Sequence, residues 1–331
     1  MNKLSHAARS MQSQTGLTLI EMMVALAIGS FLIIGAVQVY SQSRQAYIVN
    51  ESIAKVQDTA TFAMDAIESD LRMASNWGRM SRGLGVEGRS VTGDANPTGL
   101  AGLPGECGVD WVLDLAMPVD GDNNGYGLPC PPAEVIQPDS DHVVVRRASV
   151  APAMLPLEVG RPYIQTTRVQ GEVFTDGAVP ASFTPADSAT HSLMVSSYYV
   201  ASDSELIPGV PTLRRKVLRM NAGVADIIDE EIAPGVENMQ VQFGIDVNED
   251  NTVDRYVNPG DGVYDPTSGA YIPGARIITA RVWLVVRGVD IEVGLIDDRT
   301  YTPGDVDLGQ PADQIRRMQV SKTILLRNAR S

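Results

Sequence analysis

Glu21 is the residue whose chemistry asks for an explanation first, because it opens the most apolar stretch of the chain. From Met22 to Ser43 there is no charge at all. A carboxylate inside a membrane helix costs about 2.5–3.5 kcal/mol on insertion scales, so its presence calls for a partner. The plainer reading places Glu21 at headgroup level near a helix start, where the dipole favours an acid. A second set of oxygens alternates along Asp246, Asn248, Asp250 and Asp254, with a backbone carbonyl at Thr252 between them. Such alternation suits calcium, since a tight loop aims every second group at a hard cation. Asn251 stands where an EF-hand has glycine, and Val257 cannot give the closing bidentate carboxylate. The pattern therefore fits a shorter extracellular-type calcium loop of weak affinity, or a solvated Asp/Asn turn. A weaker version, Asp120, Asp122 and Asn124, has Leu128 where the last acid would stand; its other reading is a turn cluster. Cys107 and Cys130 lie 23 positions apart with no C-x-x-C and no Cys/His set nearby. A single disulfide is the economical reading if that part of the chain is exported, and two buried thiols are the alternative.

Other chemistry finds little support. Gly83-Leu-Gly85-Val-Glu-Gly88 matches G-x-G-x-x-G, but no apolar strand precedes it and no helical pattern follows, so it reads as a loop. His6, His142 and His191 are scattered, Ser90 fails the nucleophile-elbow pattern, and no H-E-x-x-H occurs. Asp297-Asp298 and Glu230-Glu231 read as solvated faces rather than acid/base couples. No cofactor is required, calcium being the one candidate, and no enzyme is expected.

The elements that must carry these residues can be read from charge and periodicity. The formal net charge is −14, which with no basic patch interleaved with aromatics disfavours nucleic acid. Residues 1–16 hold Lys3 and Arg9 and no acid, as the positive-inside rule expects of a segment kept at the cytoplasmic face. Residues 17–40 are long enough as a helix to cross a hydrocarbon core of about 30 Å. The pattern then continues as an amphipathic helix over 41–77, with Val49, Ile53, Val56, Ala60, Ala63, Ile67 and Leu71 on one stripe. Asp58, Asp65, Glu68, Asp70 and Arg72 fall off that stripe and are expected on the polar face. Glycines after Ser75-Asn76-Trp77 should end the helix. Residues 78–331 form the rest: long loops to about residue 142, then strand-like runs at Val143–Val145, Leu193–Val200, Leu213–Met220, Val236–Ile245, Arg276–Val286 and Val320–Leu326. A long helix on an antiparallel sheet makes the fold α+β.

Gly16-Leu17-Thr18-Leu19-Ile20-Glu21 behind a basic leader resembles the prepilin motif of type IV pilins and type II secretion pseudopilins. Leu17 stands where most members have phenylalanine. The resemblance implies cleavage after Gly16 by a prepilin peptidase and methylation of the new N-terminus at Leu17. It also implies that Glu21 sets axial register by meeting the freed amine of a neighbouring subunit. Further along, the Cys-containing loop, the Asp/Asn-rich turn after Phe243, the strand Ala280–Arg287 and the ending Leu325-Leu326-Arg327-Asn328 look like the PilW family of minor pilins. That family implies a single-pass inner-membrane protein with its body in the periplasm, later drawn into a filament with other minor and major pilins by an inner-membrane assembly platform. A role in pilus initiation and in a tip complex is implied as well. A J-type pseudopilin of type II secretion and a calcium-dependent tip adhesin are the competing readings; a single-pass periplasmic hydrolase is remote.

Overall fold

With no proline before residue 97, nothing in the backbone interrupts a long first helix. The structure, a computed structural model, describes residues 16, 18–88, 107 and 110–329, and its helix α1 runs from Leu19 to Leu71. The leader up to Thr15, with Lys3 and Arg9, and Leu17 lie outside the described residues. The chain divides into two units, Met1–Glu51 and Ser52–Ser331. In the first, α1 exposes many large apolar side chains, Leu19, Phe31 and Leu32 among them. Among the described residues α1 is the one helix long and apolar enough to cross a membrane.

In the second unit the expected stripe is buried from Val56 onward: Ala60, Ala63, Ile67 and Leu71 are all 2% exposed or less. Burial of Ile67 and Leu71 contributes about 1.5–3 kcal/mol each. Asp70 departs from the expected polar face, for it is buried and held by partners far along the chain, described below. The helix also ends earlier than expected. After Leu71 the bonds tighten to Met73 N–H on Asp70 O, Ala74 on Leu71 and Asn76 on Met73, and Ser75 turns to φ 61°. Tightened i→i+3 bonding followed by a left-handed residue stops a helix without any glycine.

The strands make two sheets rather than one. Short pieces come first: β1 (Val86–Glu87), then a helical turn α2 (Asp110–Leu113), then β2 (Val119–Asp122). Part of the stretch expected as long loops is thus ordered structure. β3 (His142–Ala148), β4 (Tyr163–Thr166), β5 (Gly171–Phe174) and β6 (Ala189–Ala201) follow, with β7 (Thr212–Asn221) and β8 (Val224–Pro234). These eight form one sheet in the order β1-β5-β4-β6-β3-β2, with β7 on β6 and β8 on β7. It is antiparallel except for the pair β1–β5. The second sheet contains β9 (Val236–Asp246), β10 (Arg255–Val257), β11 (Arg276–Arg287) and β12 (Arg317–Leu325) in the order β10-β9-β11-β12. The α+β class holds.

The strand β3 shows how two cores share one sheet. Val143 and Val145 face a core with Ile67, Leu71, Met239 and Val282. Val144 points the other way, into a core with Trp77, Val112, Leu113 and Val195. Side chains of period two, apolar on both faces, are what a sheet covered on both sides requires. Gly83 admits the closest backbone approach: a Cβ there would lie 1.7 Å from the Leu115 carbonyl oxygen, so a larger residue would displace α2 and the turn after it.

Candidate functional site

The N-terminal motif is built around the first turn of α1. Thr18 precedes the first helical residue, and its Oγ1 accepts the Glu21 N–H at 3.3 Å. In return, Glu21 Oε2 accepts the Thr18 N–H at 3.1 Å and the Thr18 hydroxyl at 3.0 Å. This reciprocal T-x-x-E box satisfies two of the free N–H groups of a helix start. It was legible in the sequence as Thr18 three residues before Glu21, and it is a local partner that the membrane-cost argument for Glu21 does not supply. Gly16 is exposed, and no side chain would meet a Cβ placed on it.

The two cysteines are joined by a disulfide. The Trp111 indole donates to the Cys107 carbonyl at 2.8 Å and the Tyr126 hydroxyl to the Cys130 carbonyl at 2.7 Å. The chain after Cys130 is fastened to the first sheet: Lys216 Nζ donates to Pro131 O at 2.8 Å and to Asp229 Oδ2 at 2.8 Å. Glu230 and Glu231, expected as a solvated face, lie on β8 opposite Arg215 and Arg214 in register, and Glu231 is 5% exposed. Asp297 is corrected likewise: it is 1% exposed and accepts from Arg299 Nε at 2.9 Å and the Tyr301 hydroxyl at 2.8 Å. Buried carboxylates persist when paired. The signal available beforehand was the run Arg214-Arg215-Lys216 facing Asp229-Glu230-Glu231.

The Asp246–Asp254 loop has its oxygens engaged from within. Asp246 Oδ2 accepts from Arg276 Nη2 at 3.1 Å and the Asn251 N–H at 2.9 Å. Asn248 Oδ1 takes the Asp250 N–H at 3.0 Å, Asp250 Oδ1 the Thr252 N–H at 2.8 Å, and Asp254 Oδ2 the Val247 N–H at 2.8 Å. Burial pushes the Asp246 carboxyl up, but Arg276 and the loop N–H groups reverse this and hold it below the ordinary range. Glu249 and Asn251 take left-handed φ of 62° and 65°, as Asx-type turns allow.

The weaker set is spread across an edge. Asp120 and Asp122 belong to β2, while Asn124 lies in the turn that follows. The Asn124 N–H donates to Asp141 Oδ1 at 2.8 Å, and Asp141 Oδ2 accepts from Val241 N–H at 2.7 Å. Burial pushes the Asp141 carboxyl up to about 7 against these two N–H groups, with the charges of Asp305 and Asp122 adding to the rise. Among the described residues no three His, Cys, Asp or Glu side chains are arranged to hold a metal ion.

A long apolar N-terminal helix followed by a mostly antiparallel β domain defines the pilin-like class. Residues 197–328, from within β6 to just beyond β12, match the family of type IV pilus-assembly protein W, PilW. Residues 11–37 match the prokaryotic N-terminal methylation motif. The two matches support a type IV pilus-related pilin and agree with the resemblance carried by the sequence. No curated protein and no solved structure matches it.

Proposed function

We propose that the chain is a minor pilin that helps initiate type IV pilus assembly and takes its place in a tip complex. A prepilin peptidase cuts after Gly16, the amine of Leu17 is methylated, and Glu21 exchanges its Thr18 contacts for the amine of a neighbouring pilin. Residues 17–40 first span the inner membrane, with the leader in the cytoplasm and the remainder in the periplasm. Transfer from lipid to filament is feasible because neighbouring apolar helices replace lipid contacts with little net change in burial. The observation that carries the reading is the coincidence of the methylation motif at 11–37 with a PilW match at 197–328 in one chain.

The Asp246–Asp254 loop serves in this reading as a self-bonded turn, and no calcium is required there. Deletion of the gene in its host, with electron microscopy of surface filaments and an assay of type II secretion side by side, tests the assignment. Loss of pili with secretion intact, and tagged protein at pilus ends, is the expected result. Intact pili with failed secretion would assign the chain to the pseudopilus instead.

A further inference from the structure

After β11 the chain runs through residues 288–296 before it returns as β12. Between Ile291 and Ile296 the one charged side chain, Glu292, is turned inward. It is buried and accepts from Arg316 Nε at 2.7 Å and Nη2 at 2.6 Å. Backbone bonds from Glu292 N–H to Gln314 O and from Asp297 N–H to Asp313 O, both 2.8 Å, fasten the segment on either side. Between these pins the Leu295 N–H closes a turn on the Glu292 carbonyl, with Gly294 at φ 91° in the third position, where a type II turn needs a left-handed residue. Val293 therefore stands at the tip of a turn held from both ends. It is 84% exposed, and Ile291 and Ile296 beside it in sequence are exposed as well.

A single exposed apolar side chain needs no explanation, but several held outward on one pinned turn mark a contact surface. The place of the turn in the fold says what it meets. Glu292 is also hydrogen-bonded by the Ser52 side chain, and a Cβ on Gly288 would meet Val56 Cγ2 at 3.9 Å. The loop thus abuts the first residues of α1 in the second unit. Ser52 follows Tyr40, the end of the apolar span, by twelve residues, a tether of no more than about 40 Å even if fully drawn out. We propose that the 288–296 loop seats in the lipid interface while the chain is in the membrane, with Ile291, Val293 and Ile296 entering the boundary between headgroups and acyl chains. A protruding apolar tip suits a fluid surface, and one kept within reach by a covalent anchor needs little area to bind. The inference rests on the reading that residues 17–40 span the membrane. It goes beyond that reading by giving the body a second, reversible lipid contact, which extraction into a filament must release.

The test uses the full chain in phosphatidylcholine/phosphatidylglycerol vesicles, its two native cysteines paired and one added cysteine carrying an NBD dye. The added sites are I33C in the span, D290C beside the apolar tips, and M154C in another loop of the body, all at exposed positions. The D290C dye should be quenched by a lipid with a shallow doxyl group and shielded from aqueous iodide, the I33C dye quenched by a deep doxyl group, and the M154C dye by iodide alone. Adding I291S, V293S and I296S should abolish the lipid quenching of D290C and leave that of I33C unchanged. A D290C dye as open to iodide as M154C, or quenched by doxyl lipid equally with and without the three serines, would overturn the proposal, while I33C quenching would leave the span standing. Iodide shielding without doxyl quenching would also overturn it, by placing a protein neighbour on the loop. An I33C dye left in water would remove the span itself, and the seat of the loop with it.

Discussion

Helix α1 carries two carboxylates at its two ends that are satisfied in opposite ways. Glu21 is met by Thr18, three residues away, through backbone and hydroxyl. Asp70 is met by Arg147, whose Nη2 and Nε lie 2.9 and 3.2 Å from Oδ1, and by the Tyr198 hydroxyl at 2.8 Å on Oδ2. The first arrangement is local and exposed, so it forms with the helix and can be exchanged for a better partner at little cost. The second is buried and draws on β3 and β6, so it exists only when the sheet has folded and it locks the helix to that sheet. A carboxylate free to change partners and one held by the fold are thus distinguished by the sequence distance and burial of what they bind.

The largest effect should come from breaking the fixed pair. Asp70→Ala leaves the partly buried Arg147 without its counter-charge and should cost about 3 kcal/mol or more in denaturant unfolding. A loss under about 1 kcal/mol would show that Asp70 is no pin. Opening the disulfide by Cys130→Ser should follow at about 3 kcal/mol for a loop of this size, with Lys216 and Asp229 retaining part of the attachment after Cys130.

Asp70 also shows where sequence reading stops. Its place off the apolar stripe was correct by periodicity, yet its partners stand 77 and 128 residues away, and no local pattern announces them. The long strands β3, β6, β9, β11 and β12 were legible because β-branched or aromatic residues mark them, and β7 by its apolar Leu213, Val217 and Leu218. β8 was not, since Asp226, Asp229, Glu230 and Glu231 hide its alternation, although the left-handed Ala222-Gly223 turn before it, at φ 50° and 83°, is a hairpin signal. β1, β2, β4, β5 and β10 span two to four residues each, too few for a period to register. At the N-terminus the T-x-x-E spacing was a local signal for the Thr18–Glu21 bonds that reading Glu21 alone passed over, since they join residues three apart.

Smaller effects sharpen the same contrast. Near Asp70, Glu68 is hydrogen-bonded by Lys322 of β12, which holds its carboxyl below the ordinary range. A carboxyl lowered by folding adds stability above its unfolded pKa and loses it as pH falls through the folded value. Stability of the wild-type protein should therefore decline on acidification below the ordinary glutamate range more steeply than that of Lys322→Met; parallel curves would contradict the pairing. Smallest should be Thr18→Ala, which removes the cap for about 1 kcal/mol. Its signature is faster amide exchange confined to the first turn of α1, with the melting of the β domain unchanged.

The central claim is that the chain enters the pilin pathway through its first 21 residues. The most direct measurement is the mass of its N-terminal peptide from the host, with and without the prepilin peptidase. The account predicts a chain that begins at Leu17, methylated, only when the peptidase is present. A chain that keeps Met1 in both strains, or one cut near Ser41, would contradict it.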